Sequence, residues 1–73
     1  MIPRGLKSDE AIRAFENAGG MRRPGKGSHI NIKMPNGQLI TIPAHGDVKV
    51  GLLQAAIRKS GLTVDQFLEF LGR

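Results

Sequence analysis

Between His29 and Pro43 the chain alternates polar and apolar residues on both sides of a Pro-Asn-Gly tripeptide. His29-Ile30-Asn31-Ile32-Lys33-Met34 and Leu39-Ile40-Thr41-Ile42-Pro43 each repeat with period two, the pattern of a strand with one buried face. A β-hairpin is therefore expected, and its register follows from the turn. A two-residue turn at Asn36-Gly37 would set Ile32 opposite Thr41 and split the isoleucines between the two faces. A three-residue loop, Pro35-Asn36-Gly37, instead pairs Ile32 with Ile40 and Ile30 with Ile42. It also puts Pro35 at the second position of a type I turn and Gly37 at the left-handed bulge position that follows. This second register aligns His29 with Pro43, Asn31 with Thr41 and Lys33 with Leu39 on the face opposite the isoleucines. If the chain stays extended beyond Pro43, His45 falls on that face as well.

The flanking segments read as one helix and a short strand before the hairpin and two helices after it. Ser8 is a candidate N-cap, with Asp9 and Glu10 in the first turn to complement the helix dipole. Ala11, Ile12, Phe15 and Ala18 recur at helical spacing until Gly19-Gly20 ends the helix. Met21 to Arg23 form a short first strand. Gly46-Asp47-Val48 reads as a loop, followed by an amphipathic helix over Lys49 to Ser60 with Leu52, Leu53, Ala56 and Ile57 as its buried stripe. After Gly61, Thr63 and Gln66 make a capping-box pattern, and Leu62 and Phe67 are spaced as a hydrophobic staple. Phe67, Leu68 and Leu71 are expected to pack onto the preceding helix and the sheet, with Phe70 partly exposed.

At 73 residues the chain is expected to be a single domain over residues 1–73, with too little interior for a deep substrate cavity or a large cofactor. Chemistry has to sit on the surface, and few side chains are equipped for it. There is no cysteine, tyrosine or tryptophan and only two histidines, so His29 is the leading acid–base candidate, with His45 as a possible assistant. A thiolate metal site is excluded, zinc is not expected, and no cofactor is called for. No apolar stretch resembles a signal peptide or a membrane span, which points to a cytoplasmic protein with no membrane partner. Ser28 is not expected to act as a nucleophile, because no third residue is placed to orient a Ser-His pair.

The net charge of +5 is unevenly spread. Between Asn17 and Gly46 lie Arg22, Arg23, Lys26 and Lys33 and not one carboxylate, so the positive field is centred on His29 and favours a nucleic acid. These four side chains, with the backbone amides of Gly27 and Ser28, are the candidate RNA contacts. All three phenylalanines fall in helical segments, which argues against a single-strand binder that stacks bases on its strands. A DNA-binding helix-turn-helix over Lys49 to Leu71 would expose Asp65, Gln66 and Glu69 to the groove, the wrong sign for entering it. A non-catalytic double-stranded RNA-binding module remains the alternative to a nuclease.

The order of these features carries a family resemblance. Helix, Gly-Gly, basic strand, Gly27-Ser28-His29, the Pro-Asn-Gly hairpin, Thr41-Ile42-Pro43-Ala44-His45, then Gly51-Leu52-Leu53 through Ser60-Gly61-Leu62 is similar to the HicA (YcfA-like) toxin family of mRNA interferases, over about residues 6 to 71. The chain departs from many members in having Ile30 in place of a second histidine and Ile32 in place of an aromatic. The resemblance implies an α+β, double-stranded-RNA-binding-domain-like fold in the order α-β-β-β-α(-α), with the helices on one face of a three-stranded antiparallel sheet. It further implies metal-independent cleavage of mRNA with His29 as the catalytic histidine. The implied partner is a HicB-like antitoxin, which should cover the His29 face.

Overall fold

A computed structural model describes residues 2–25 and 27–72. The elements in order are β1 (Leu6–Lys7), α1 (Ser8–Asn17), β2 (Met21–Arg23), β3 (His29–Lys33), β4 (Leu39–Pro43), β5 (Asp47–Val48), α2 (Val50–Ser60) and α3 (Val64–Leu71). β2, β3 and β4 form an antiparallel sheet in that order, and β1 pairs with β5 in a separate two-stranded ribbon. The fold is thus α+β, with the expected order of one helix, three sheet strands and two helices.

The hairpin has the three-residue-loop register. Ile32 pairs with Ile40, Ile30 with Ile42, Asn31 with Thr41, Lys33 with Leu39 and His29 with Pro43. At the turn, Gly37 N–H donates to the Met34 carbonyl at 2.9 Å and Met34 N–H donates to the Gln38 carbonyl at 2.8 Å. Gly37 has φ +88°, the left-handed conformation that a bulge after a type I turn demands and that glycine adopts at least cost. Ile32, Ile40 and Ile42 are buried, together with Phe15, Leu53, Ile57 and Phe67 from the helices. Burying one face of each strand against helices while leaving the other to water produces the alternation seen in the sequence.

Several expectations about the periphery give way. Ser8 does not cap α1: Lys7 holds the N-cap position and its N–H donates to the Glu10 carboxylate at 3.2 Å. The Ser8 hydroxyl is buried and donates to the Gly46 carbonyl at 3.1 Å, while Ser8 N–H reaches the same oxygen at 2.9 Å. The segment read as a loop at Gly46-Asp47-Val48 contains β5, because pairing Leu6 with Val48 buries both side chains. Lys7 and Asp47 close the ribbon with a 2.8 Å ion pair. The Asp47 carboxylate, by hydrogen bond and then by charge, holds the Lys7 ammonium above its ordinary pKa. Both groups are exposed, so solvent screening leaves this pair little weight in stability.

Among the helices, α1 ends as expected. Gly20 N–H donates to Phe15 O at 2.9 Å and Gly19 N–H to Glu16 O at 3.0 Å, the two bonds of a Schellman closure. In α3 the capping box is formed in full, with Gln66 N–H donating to Thr63 Oγ1 at 3.1 Å and Thr63 N–H donating to Gln66 Oε1 at 2.9 Å. The stripe of α2 differs from expectation: Leu53, Ala56, Ile57 and Ser60 are buried, whereas Leu52 is 39% exposed. α3 packs chiefly on α1 rather than on the preceding helix. The Phe15 and Phe67 rings meet there at 5.0 Å between centroids, tilted by 45°, an arrangement favourable to aromatic pairs. Phe70 is partly exposed.

Candidate active site

Directly opposed residues in an antiparallel sheet project to the same side, so the register sorts every candidate residue onto a face. Ile32 is buried toward the helices, and Arg22 sits opposite it. Arg22 therefore projects toward the helical side, where its Nε donates to Glu16 Oε2 at 3.0 Å. Its neighbours Met21 and Arg23 project to the open face, opposite Lys33 and Asn31 respectively. The open face thus carries Met21 and Arg23 from β2, His29, Asn31 and Lys33 from β3, and Leu39, Thr41 and Pro43 from β4.

His29 is exposed at the first position of β3, at the end of the sheet where the β2–β3 connection returns. Arg23 is its diagonal neighbour across the strand pair, at a Cα separation of ~7–8 Å typical of that relation. Lys33 lies four residues along the same strand, ~13 Å away by strand rise. Asn31 stands between them with its amide engaged on both sides. The Thr41 hydroxyl donates to Asn31 Oδ1 at 2.8 Å, and Asn31 Nδ2 donates to the Pro24 carbonyl at 3.4 Å. These bonds tie the loop after β2 to the centre of the open face.

The next residue of that loop packs against the backbone of β3 itself. A Cβ built on Gly25 would lie 2.5 Å from the His29 carbonyl oxygen, so only glycine allows the loop to pack so closely against the catalytic candidate's own backbone. Gly27 and Ser28 are exposed in the turn that leads into β3. Lys26, the remaining expected cation, lies outside the described residues. The sequence pointed to the Asn31–Thr41 pair through the hairpin register, but nothing in its pattern marked Gly25 as a contact residue. Nor did it separate Arg22 from Arg23, because the β2–β3 register depends on a connection whose geometry has no turn signature.

The condition that would have aligned His45 with His29 is not met. β4 ends at Pro43, and the chain bends through Ala44, His45 and Gly46 before entering β5. Ala44 N–H donates to the Ser28 carbonyl at 2.6 Å, and the Gly46 carbonyl accepts from Ser8. His45 is exposed between these two anchors, one residue beyond a backbone bond to the residue that precedes His29.

The site is a surface, open to a polymer. Hollows of about 130 Å³ between α1 and α3 and about 220 Å³ between β4 and α2 are both lined by residues other than the histidines. Among the described residues no group of three or more His, Cys, Asp or Glu side chains is arranged to hold a metal ion, and no helix is long and apolar enough to cross a membrane. Among the described residues, the face offers chemically one imidazole, two open-face cations and a neutral polar pair. Such a set suits proton transfer next to a bound phosphodiester.

No curated protein matches the chain. A family model described as the HicA toxin of bacterial toxin-antitoxin matches residues 8–62, from the start of α1 to just past α2.

Proposed function

From the premise that this chain belongs to the HicA toxin family, and so is a toxin that works against an antitoxin partner, we propose that it is an endoribonuclease that cleaves mRNA at His29 without a metal ion. The observation that carries this reading is the exposed His29 on a sheet face with Arg23, Asn31 and Lys33, within a stretch that contains no carboxylate.

RNA supplies its own nucleophile, and the protein has to move protons and hold charge. The neutral His29 imidazole takes the proton of the 2′-hydroxyl as its oxygen attacks the adjacent phosphorus. The O2′–P bond forms as the P–O5′ bond breaks, leaving a 2′,3′-cyclic phosphate on one fragment and a 5′-hydroxyl on the other. Arg23 and Lys33 hold phosphates on the open face, and the amides of Gly27 and Ser28 add donors where the turn approaches the strand. A proton for the departing 5′-oxygen comes from His45 or from water. Arg22 contributes less than its neighbour, since its guanidinium is engaged by Glu16 on the other side of the sheet. A HicB-like antitoxin silences the toxin by covering the His29 face with acidic groups.

Expression in a bacterial host tests the reading. Wild type should arrest growth and deplete mRNA, whereas His29→Ala should do neither at equal protein level. If both variants arrest growth equally, His29 is not the source of toxicity. If wild-type protein binds RNA and leaves it intact, the chain is a binding module of the same fold.

A further inference from the structure

Among the described residues, β4 has a strand partner on one side only. The bonds from Met34 N–H to the Gln38 carbonyl and from Ala44 N–H to the Ser28 carbonyl fix the alternation of the ladder, so residues 40, 42 and 44 turn their amides toward β3. The N–H and C=O groups of Leu39 and Thr41 therefore point outward. The opposite edge offers much less, because β2 has three residues and runs into a proline.

Alongside the β4 edge runs a groove of about 220 Å³ lined by Ile40, Thr41, Leu52, Ala55, Ala56 and Lys59. Ile40 and Thr41 project to opposite faces of the sheet, so a hollow that touches both lies at the strand's outer margin. Leu52, Ala55, Ala56 and Lys59 follow i, i+3, i+4, i+7 spacing, a stripe of α2 turned toward that margin. The two alanines leave room for a backbone to approach, and Leu52 and Leu39 are exposed large apolar residues. The one charged residue lining the groove is Lys59, and the chain through α2 carries charge of the same sign. No carboxylate occurs between Asp47 and Asp65, while Lys49, Arg58 and Lys59 do.

We propose that this edge and groove bind an extended, acidic segment of the antitoxin, which adds to the sheet as a strand antiparallel or parallel to β4. Backbone groups of Leu39 and Thr41 supply the pairing, an apolar side chain of the segment enters the groove against Leu52 and Ala56, and a carboxylate meets Lys59. RNA fits this edge poorly, since its backbone cannot complete a strand ladder and it has no use for an apolar groove. The inference rests on the toxin–antitoxin family and does not depend on His29 being catalytic.

The test uses the full chain with its purified cognate antitoxin as probe. Hydrogen exchange should slow at the Leu39 and Thr41 amides in the complex. Leu39→Pro removes one outward N–H and spares the β3 ladder, so it should weaken the complex roughly tenfold beyond Leu39→Ala. Lys59→Glu should weaken it too, with RNA cleavage by the free chain unchanged in that variant. Unaltered exchange at both amides in the wild-type complex would overturn the proposal, and so would equal affinities for Leu39→Pro and Leu39→Ala. Protection produced by RNA alone, or by concentrating the free chain, would assign the edge to another occupant and overturn it equally. Failure of wild type to cleave RNA would count against the His29 reading and leave this one standing.

Discussion

Arg22 and Arg23 are neighbours in the chain and face opposite sides of the sheet, which makes them an internal control for phosphate binding. Arg23 opposes Asn31 on the open face, whereas Arg22 opposes Ile32 and pairs with Glu16. Arg23→Ala is expected to weaken RNA binding and to lower the slope of log affinity against log salt by ~0.7, the value for one phosphate contact on a single strand. Arg22→Ala should leave that slope unchanged, and a filter-binding titration at several salt concentrations distinguishes them. Gly25→Ala tests the loop. The added methyl would meet the His29 carbonyl, so cleavage should fall well below wild type while thermal stability changes less. At this scale the sequence was informative where a residue type was scarce: two histidines in the whole chain left few places for acid–base chemistry. It was silent where the role depends on proximity, as at Gly25, or on a register without a turn signature, as at Arg22.

The hairpin is the element whose sequence and geometry agree most fully. Its register could be read because, of the two- and three-residue loops, only the longer keeps Ile30, Ile32, Ile40 and Ile42 on a single face, and the turn residues suit that same length. Gly37→Ala forces a side chain into the left-handed region and should cost about 1–2 kcal/mol, measurable as a lower urea midpoint with an unchanged slope. An unchanged midpoint would mean that the turn relaxes to another type. The two-residue strands at Leu6–Lys7 and Asp47–Val48 could not be read in this way. Each is too short to show a period, and their pairing joins segments about forty residues apart. Leu52 departs from the expected buried stripe for a related reason. Periodicity locates an apolar stripe on a helix, but it does not say whether the stripe's margin meets the core or an open groove.

For the whole molecule, small size sets the terms. A 73-residue domain is expected to have roughly 4–11 kcal/mol of stability, so single core contacts carry a large share of it. Phe67 is fully buried on α3 against Phe15. Phe67→Ala should cost ~3–5 kcal/mol and leave the chain largely unfolded at physiological temperature, which circular dichroism melts would register. A bound antitoxin should raise that melting temperature by mass action. The same small size leaves no interior for a catalytic pocket, so the helices form one layer and the sheet presents its other face to solvent. Charge follows this division, with carboxylates on α1, β5 and α3 and none on the β2–β4 sheet. The most direct test of this division of labour is RNA cleavage and RNA affinity measured on the same preparations of wild type and His29→Ala, with chelator present. The expected result is a loss of ~10²–10⁴-fold in cleavage rate at nearly unchanged affinity, with wild-type products ending in a 2′,3′-cyclic phosphate. Equal cleavage by the two proteins, or loss of affinity in step with loss of rate, would contradict it.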